Sequence, residues 1–245
     1  MAMGAPMVTI IRTPMGQMIT LMTMGTLTIT DITTMNTDAG LVLHQLFSPS
    51  FPTGAFAWSH GLETAVETGH VTDARSLRAW LETVLWHGSG WSDAVLLSLA
   101  ARGWGAEGLS ELALALSPSA ERRAETAQQG RAFAATVSAL WQIEIPAAPY
   151  PVAAGLVTRA LELPLEETLR IFLLAVASNL VSAGVRLVPL GQTDGQKVLC
   201  LLRPLCGDLA AKALEATDDD IGGFAPLVDI ASQRHDMLYS RLFRS

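Results

Sequence analysis

Gly191-Gln192-Thr193-Asp194-Gly195-Gln196-Lys197-Val198 holds the residue types that a phosphate loop uses: glycines, an acid and a lysine at short spacing. The pattern G-x-x-x-x-G-K-[ST] needs the lysine directly after its second glycine and a hydroxyl after the lysine. Here Gln196 intervenes, Val198 follows, and no strand leads in. The segment therefore reads as a glycine-rich turn that opens a helix, with amides that suit a protein contact better than a nucleotide. Gly90-Trp91-Ser92-Asp93-Ala94 lacks the second glycine and the preceding strand of a nucleophile elbow, and Ser92 reads as a helix cap. The histidines at 44, 60, 70, 87 and 235 make no H-E-x-x-H and no i, i+4 pair. His235 is the least ordinary of them, because a bound tail would carry it toward a metal or an acidic patch. Cys200 and Cys206 stand six apart without flanking ligands and read as reduced core residues. Asp218-Asp219-Asp220 reads as a solvated loop, since adjacent carboxylates point in different directions. The sequence thus predicts no catalytic residue, no metal ligand set and no bound cofactor.

The elements around these residues are helical from Leu41 onward. Leu41–Leu46 forms a short helix that stops before Pro49, and Ala57–Thr68 forms the next, closed by Gly69. Thr72 or Asp73 caps a helix whose inward stripe is Leu77, Trp80, Leu81, Val84 and Leu85. Gly88-Ser89-Gly90 breaks it, Ser92 or Asp93 restarts it, and Gly103 to Gly105 ends it. Ser117-Pro118 opens a helix over about Ser119–Leu140, with Glu121, Arg122, Arg123, Glu125 and Arg131 on its wet early half. After the connector Pro146, Pro149 and Pro151 come Val152–Leu161 and a buried helix from Pro164 to Val188, whose Ser178, Asn179 and Ser182 serve close packing. Gly191–Arg203 and Leu205–Ala216 are two segments divided by Pro204, and Pro226 leads into the last helix. The expected fold is all-α: one domain of eight to ten helices over residues 39–245.

Composition narrows the classes further. In 245 residues, half are apolar and only 16% are charged, below the usual quarter, so a large core is available and some surface is left for a partner to cover. A net charge of −7 with lysine only at Lys197 and Lys212 argues against nucleic acid as the main partner. The longest apolar run, Ile171–Val185, is interrupted by polar residues and suits a buried helix instead of a membrane span. The expected setting is cytoplasmic. Residues 1–38 differ in kind: eight of the nine methionines and ten threonines lie there, with Arg12, Asp31 and Asp38 the only charges. They read as a disordered extension, with Met35 as a plausible start.

Two segments make no sense as catalytic machinery. Pro49 to Glu63 is a proline-stiffened, glycine-hinged loop running into a helix, and Asp229 to Ser245 is a basic, aromatic tail. Arg and aromatic side chains are frequent interface anchors, and Arg234, Tyr239, Arg241, Phe243 and Arg244 supply them. Against this stands a plainer reading, in which Leu238, Leu242 and Phe243 pack on the core. On the docking reading the tail is loosely held in the free chain and becomes ordered on a partner.

Ser48–Glu63, the run Val185 to Gln192 with Gly195-Gln196, and Phe224-Ala225-Pro226-Leu227 leading to the tail occur together in an order that resembles the UreF family of urease accessory proteins. Asp236 stands where that pattern has Glu. The resemblance implies an all-helical, non-enzymatic homodimer that joins a UreD/UreH-type scaffold and a UreG-type GTPase. That complex delivers nickel to the urease apoprotein, the nickel and GTP being handled by the complex and its GTPase. It implies contact residues at Pro52, Gly54, Phe56, His60, Glu63, Gln192, Gln196, Arg234, His235, Tyr239, Arg241, Phe243 and Arg244. Two rivals remain: an independent nickel metallochaperone, and an all-α small-ligand-binding protein.

Overall fold

The computed structural model describes residues 39–245. The disordered extension and the start at Met35 expected within residues 1–38 lie outside the described residues. Among the described residues the protein is all-α, with ten α-helices and no strand. They are α1 Ala39–Leu46, α2 Leu62–Glu67, α3 Ala74–His87, α4 Ser89–Ala101, α5 Ala106–Ala115, α6 Ala120–Trp141, α7 Tyr150–Ala160, α8 Leu165–Leu187, α9 Gln192–Glu215 and α10 Pro226–Arg234.

Local chemistry sets most boundaries. Asp73 accepts the Ser76 amide at 2.8 Å and Ser76 Oγ returns to the Asp73 amide at 3.0 Å, a closed capping box for α3. Ser119 caps α6 in the same way from its side chain, and Glu166 and Glu167 sit at the positive end of α8. Leu77, Trp80, Leu81, Val84 and Leu85 are all buried, as their spacing predicts.

α8 is the one described helix long and apolar enough to cross a membrane, with a mean hydropathy of 1.7, and half of that window is buried inside the fold. It packs against α9, α3 and α4. Phe47, Phe51, Phe133, Tyr150 and Phe172 form an aromatic chain through the main core, with ring centroids 5.3 to 6.1 Å apart. A smaller core joins α4, α5 and α7 through Val95, Leu96, Leu99, Leu109, Ala113 and Val152. α6 meets the start of α7 at Gly130, where a methyl group would strike the Ala148 carbonyl and the Tyr150 amide. Thr126 Oγ1 accepts that same amide at 3.2 Å.

Several expectations change. α9 runs unbroken through Pro204, because its buried stripe Val198, Leu202, Cys206, Leu209 and Ala213 continues across the proline, which faces solvent. α4 starts at Ser89, so Ser92 and Asp93 lie inside it and Ser92 is no cap. Pro118 precedes the Ser119 cap instead of entering the first turn. α5 had no counterpart in the periodicity, because only Leu109 and Ala113 mark its buried face. Cys206 is buried and its thiol is pushed up to about 11 by burial, whereas Cys200 is exposed, so only one of the pair is a core residue.

Candidate functional site

Between Ala57 and Gly61 the chain is not the helix that its spacing predicts. A 3-10 turn covers Ala55–Ala57, Trp58 is extended, and His60 and Gly61 both take left-handed backbone (φ 54° and 75°) before α2 begins. Gly61 has no alternative, since a Cβ there would lie 2.6 Å from the Ser232 amide nitrogen. The kink turns His60 inward and leaves Glu63 on the first turn of α2, facing the C-terminal tail.

Two polar clusters follow from this turn. The inner one contains His60, Asp93 of α4, and Arg122, Glu125 and Gln129 of α6. Arg122 Nη1 donates to Glu125 Oε2 and lies 2.8 Å from His60 Nε2, while Gln129 Nε2 donates to Glu125 Oε1 at 2.7 Å. Asp93 Oδ2 lies 3.9 Å from Arg122 Nη2. Burial works against the charge of Glu125, but Arg122 and then His60 overcome it and hold the carboxyl down at about 2. Burial and the neighbouring Arg122 lower His60, while Glu125, whose Oε1 lies 3.0 Å from the same Nε2, opposes them. His60 Nδ1 is buried without a hydrogen-bond partner. Asp93 is different: burial outweighs Arg122 and pushes it up to about 6.

Arg122 and Glu125, placed by sequence on the wet half of α6, are 7% and 3% exposed. Arg122, Glu125, Gln129, Phe133 and Val137 share one helical face, so the apolar stripe continues as a polar one beneath the His60 turn. Cavities of about 50 Å³ and about 90 Å³ flank the cluster, both walled by His60, Asp93, Arg122 and Thr126.

The outer cluster holds the tail. His235 is fully buried, with Nε2 3.0 Å from Glu63 Oε2 and Nδ1 2.8 Å from Glu121 Oε2. Each ring nitrogen thus faces a carboxylate oxygen. Glu63 also accepts the Leu242 amide at 2.6 Å and the Phe243 amide at 2.9 Å, and Arg241 donates to Glu121 at 3.0 Å. Arg244 donates its amide to Ala57 O, and the Ser59 amide donates to Ser245 O, each at 2.8 Å. Phe243 is buried beneath Arg186, whose guanidinium carbon sits 4.4 Å from the ring centroid. Arg244 lies over Trp58 at 5.1 Å.

The structure seats the tail against the segment before α2 and the start of α6, where the docking reading expects it loosely held. The two readings of it divide by residue. Phe243 belongs to the core and Leu238 is half-buried, while Leu242 is 62% exposed and Tyr239 is fully exposed. His60, Glu63 and His235 are inside, and Arg234, Arg241 and Arg244 are exposed. Pro52 and Phe56 face solvent and Gly54 lies at the loop's other left-handed turn. Gln192 and Gln196 are exposed on the first turns of α9, away from these clusters, where Lys197 pairs with Asp194. Asp220 caps its own 3-10 turn by accepting from Thr217. Among the described residues no group of three or more His, Cys, Asp and Glu is placed to hold a metal ion. Ser59, Glu121, Arg122, Glu125 and Arg186 were missed as site residues; Ser59, Glu121 and Arg186 matter through partners far off in sequence, and Arg122 and Glu125 through each other and His60.

A UreF family model matches residues 71–203. The chain belongs to the UreF family. Its UreF relatives include a protein named urease accessory protein UreF from Cereibacter sphaeroides, 52% identical over 205 residues, covering 84% of this chain and 98% of that one. Another of that name from Roseobacter denitrificans is 46% identical over 213 residues, covering 86% and 96%. A third, from Rhodopseudomonas palustris, is 46% identical over 229 residues, covering 86% and 97%. The loop before α2 and the tail both lie outside the stretch that the UreF model matches.

Proposed function

We propose that this chain is a non-catalytic accessory protein of urease maturation. It assembles as a homodimer in the cytoplasm with a UreD/UreH-type scaffold and a UreG-type GTPase, and it supports nickel delivery to the urease apoprotein. The observation that carries the reading, beside family membership, is the surface around the docked tail. Tyr239 is fully exposed, Met237 is 80%, Phe56 68% and Leu242 62% exposed, and Arg241 and Arg244 stand among them. Large apolar and aromatic side chains mixed with arginine are the composition of an interface core.

The test is co-purification with the scaffold and the GTPase, using the full chain and a chain ending at Gln233. Scaffold binding should fall by more than about a hundredfold on truncation, since each lost anchor contributes about 2 kcal/mol or more. Retained binding would remove the tail from the interface. Light scattering on the isolated chain should give twice the monomer mass at micromolar concentration, and calorimetry should find no saturable GTP binding. Dialysis against nickel separates this reading from an independent metallochaperone, which would hold a stoichiometric ion unaided.

A further inference from the structure

The loop over residues 55–61 and the strap over residues 238–245 have little local structure of their own, and each supplies what the other lacks. The strap's Leu238 amide reaches back to His235 O at 3.1 Å, but its later amides at Leu242, Phe243 and Arg244 all go to residues 57–63. In the loop, Ala57 O and the Ser59 amide are satisfied by the strap, and Ser59 Oγ also donates to Ser245 O. Phe56 O accepts from Arg186 Nη2 at 3.1 Å, and the same guanidinium covers Phe243. The loop is bounded by left-handed residues at both ends, Gly54 and the pair His60-Gly61. Between those points Ala55, Phe56, Trp58 and His60 form part of the wall of the 50 Å³ cavity, opposite Asp93, Arg122 and Glu125.

We propose that strap and loop are one lid over the inner charged cluster, with Glu63 as its catch. Three donors converge on that one carboxylate: the Leu242 amide, the Phe243 amide and His235 Nε2. Docked, the strap fixes the loop from outside by backbone bonds at Ala57 and Ser59 and by the Arg244–Trp58 stack. Lifted, it leaves those backbone groups without partners, so the loop turns about Gly54 and Gly61 and admits solvent to the Arg122 cavity. The strap's long-range backbone bonds all end on residues 57–63, and it meets the bundle by side chains alone, Arg241 and Arg244 on α6 and Phe243 beneath Arg186 of α8. Glu63 acts here as a positioning residue, and the device works in the isolated chain, independently of any partner.

Hydrogen exchange on the full chain, read by mass spectrometry, tests this. Glu63→Gln should speed exchange about tenfold or more at residues 242–245 and, together with them, at 57–60, while α3 and α8 stay as protected as before. Arg244→Ala removes an exposed side chain from Trp58 and Gln128, and should give a smaller rise over the same two segments. A freed strap over a still-protected loop would overturn the coupling, and so would no change in either segment. A rise that extends through α8 would also overturn it, since the whole fold would have loosened instead of the lid. Should Glu63→Gln fail to fold, the Arg244→Ala pattern decides alone by the same criteria.

Discussion

The inner and outer clusters share the first turns of α6 and the same segment before and within α2, and both join acids to an arginine and a histidine. Their members come from different places. Apart from His60, which the lid carries, every side chain of the inner cluster is rooted between Asp93 and Gln129, so those groups part only when helices separate. The outer cluster borrows His235, Arg241 and two strap amides, so it is undone by moving a dozen residues. Like chemistry thus yields a fixed element in one case and a releasable one in the other, and chain connectivity makes the difference.

The hardest blow to that contrast is Arg122→Met. It leaves Glu125 and Asp93 buried without their cation, which should cost about 3–5 kcal/mol in urea denaturation. A loss under about 1 kcal/mol would mean that the inner cluster is not what holds α4 to α6. Ending the chain at Gln233 comes next. Exposing the Phe243 site and stripping Glu63 of its donors should lower stability by about 2–4 kcal/mol while the transition stays cooperative. A collapsed fold would place the outer cluster on a par with the inner one.

Asp93 sharpens the comparison through pH. Its folded value is about 6, above the ordinary 3.8, so the folded state binds the proton more tightly than the unfolded chain. The stability it contributes is fully present below about pH 4 and is lost as pH rises through about 6. Asp93→Asn should therefore gain about 1–3 kcal/mol relative to the parent at pH 7.5 and nothing at pH 4, by denaturation midpoints. Glu125 has the opposite sign: its value of about 2 lies below the ordinary 4.5, so its contribution is present above pH 4.5 and fades as pH falls toward 2. The smallest effect belongs to Arg241→Ala. Its side chain is 43% exposed, and removing the bond to Glu121 should cost less than about 1 kcal/mol.

The helices were legible where periodicity and caps agreed: the stripe of α3 with Asp73, the span of α8, the stop before Pro49. The 55–61 loop was not, because Leu62, Ala65 and Val66 carry a helical period back toward Ala57, and the Ser232 backbone that crowds Gly61 lies far off in sequence. The tail's importance could be read from its residue types, yet its docked state could not. Glu63 lies some 180 positions from the amides it accepts, and no local signal announces that pairing. Arg122 and Glu125 were misplaced because charge outweighed spacing in the reading. Their register with Phe133 pointed inward, and burial followed register.

Gly130 gives the lid a floor. At Gly130 main chain rests on main chain, and Thr126 and Phe133 grip the same entry to α7 on either side of that crossing. Load applied to Glu121 through His235 or Arg241 passes into α6, which this close packing holds against α7. Mechanical work done on the strap is therefore delivered to the compliant part in series with it, the hinged stretch between Gly54 and Gly61.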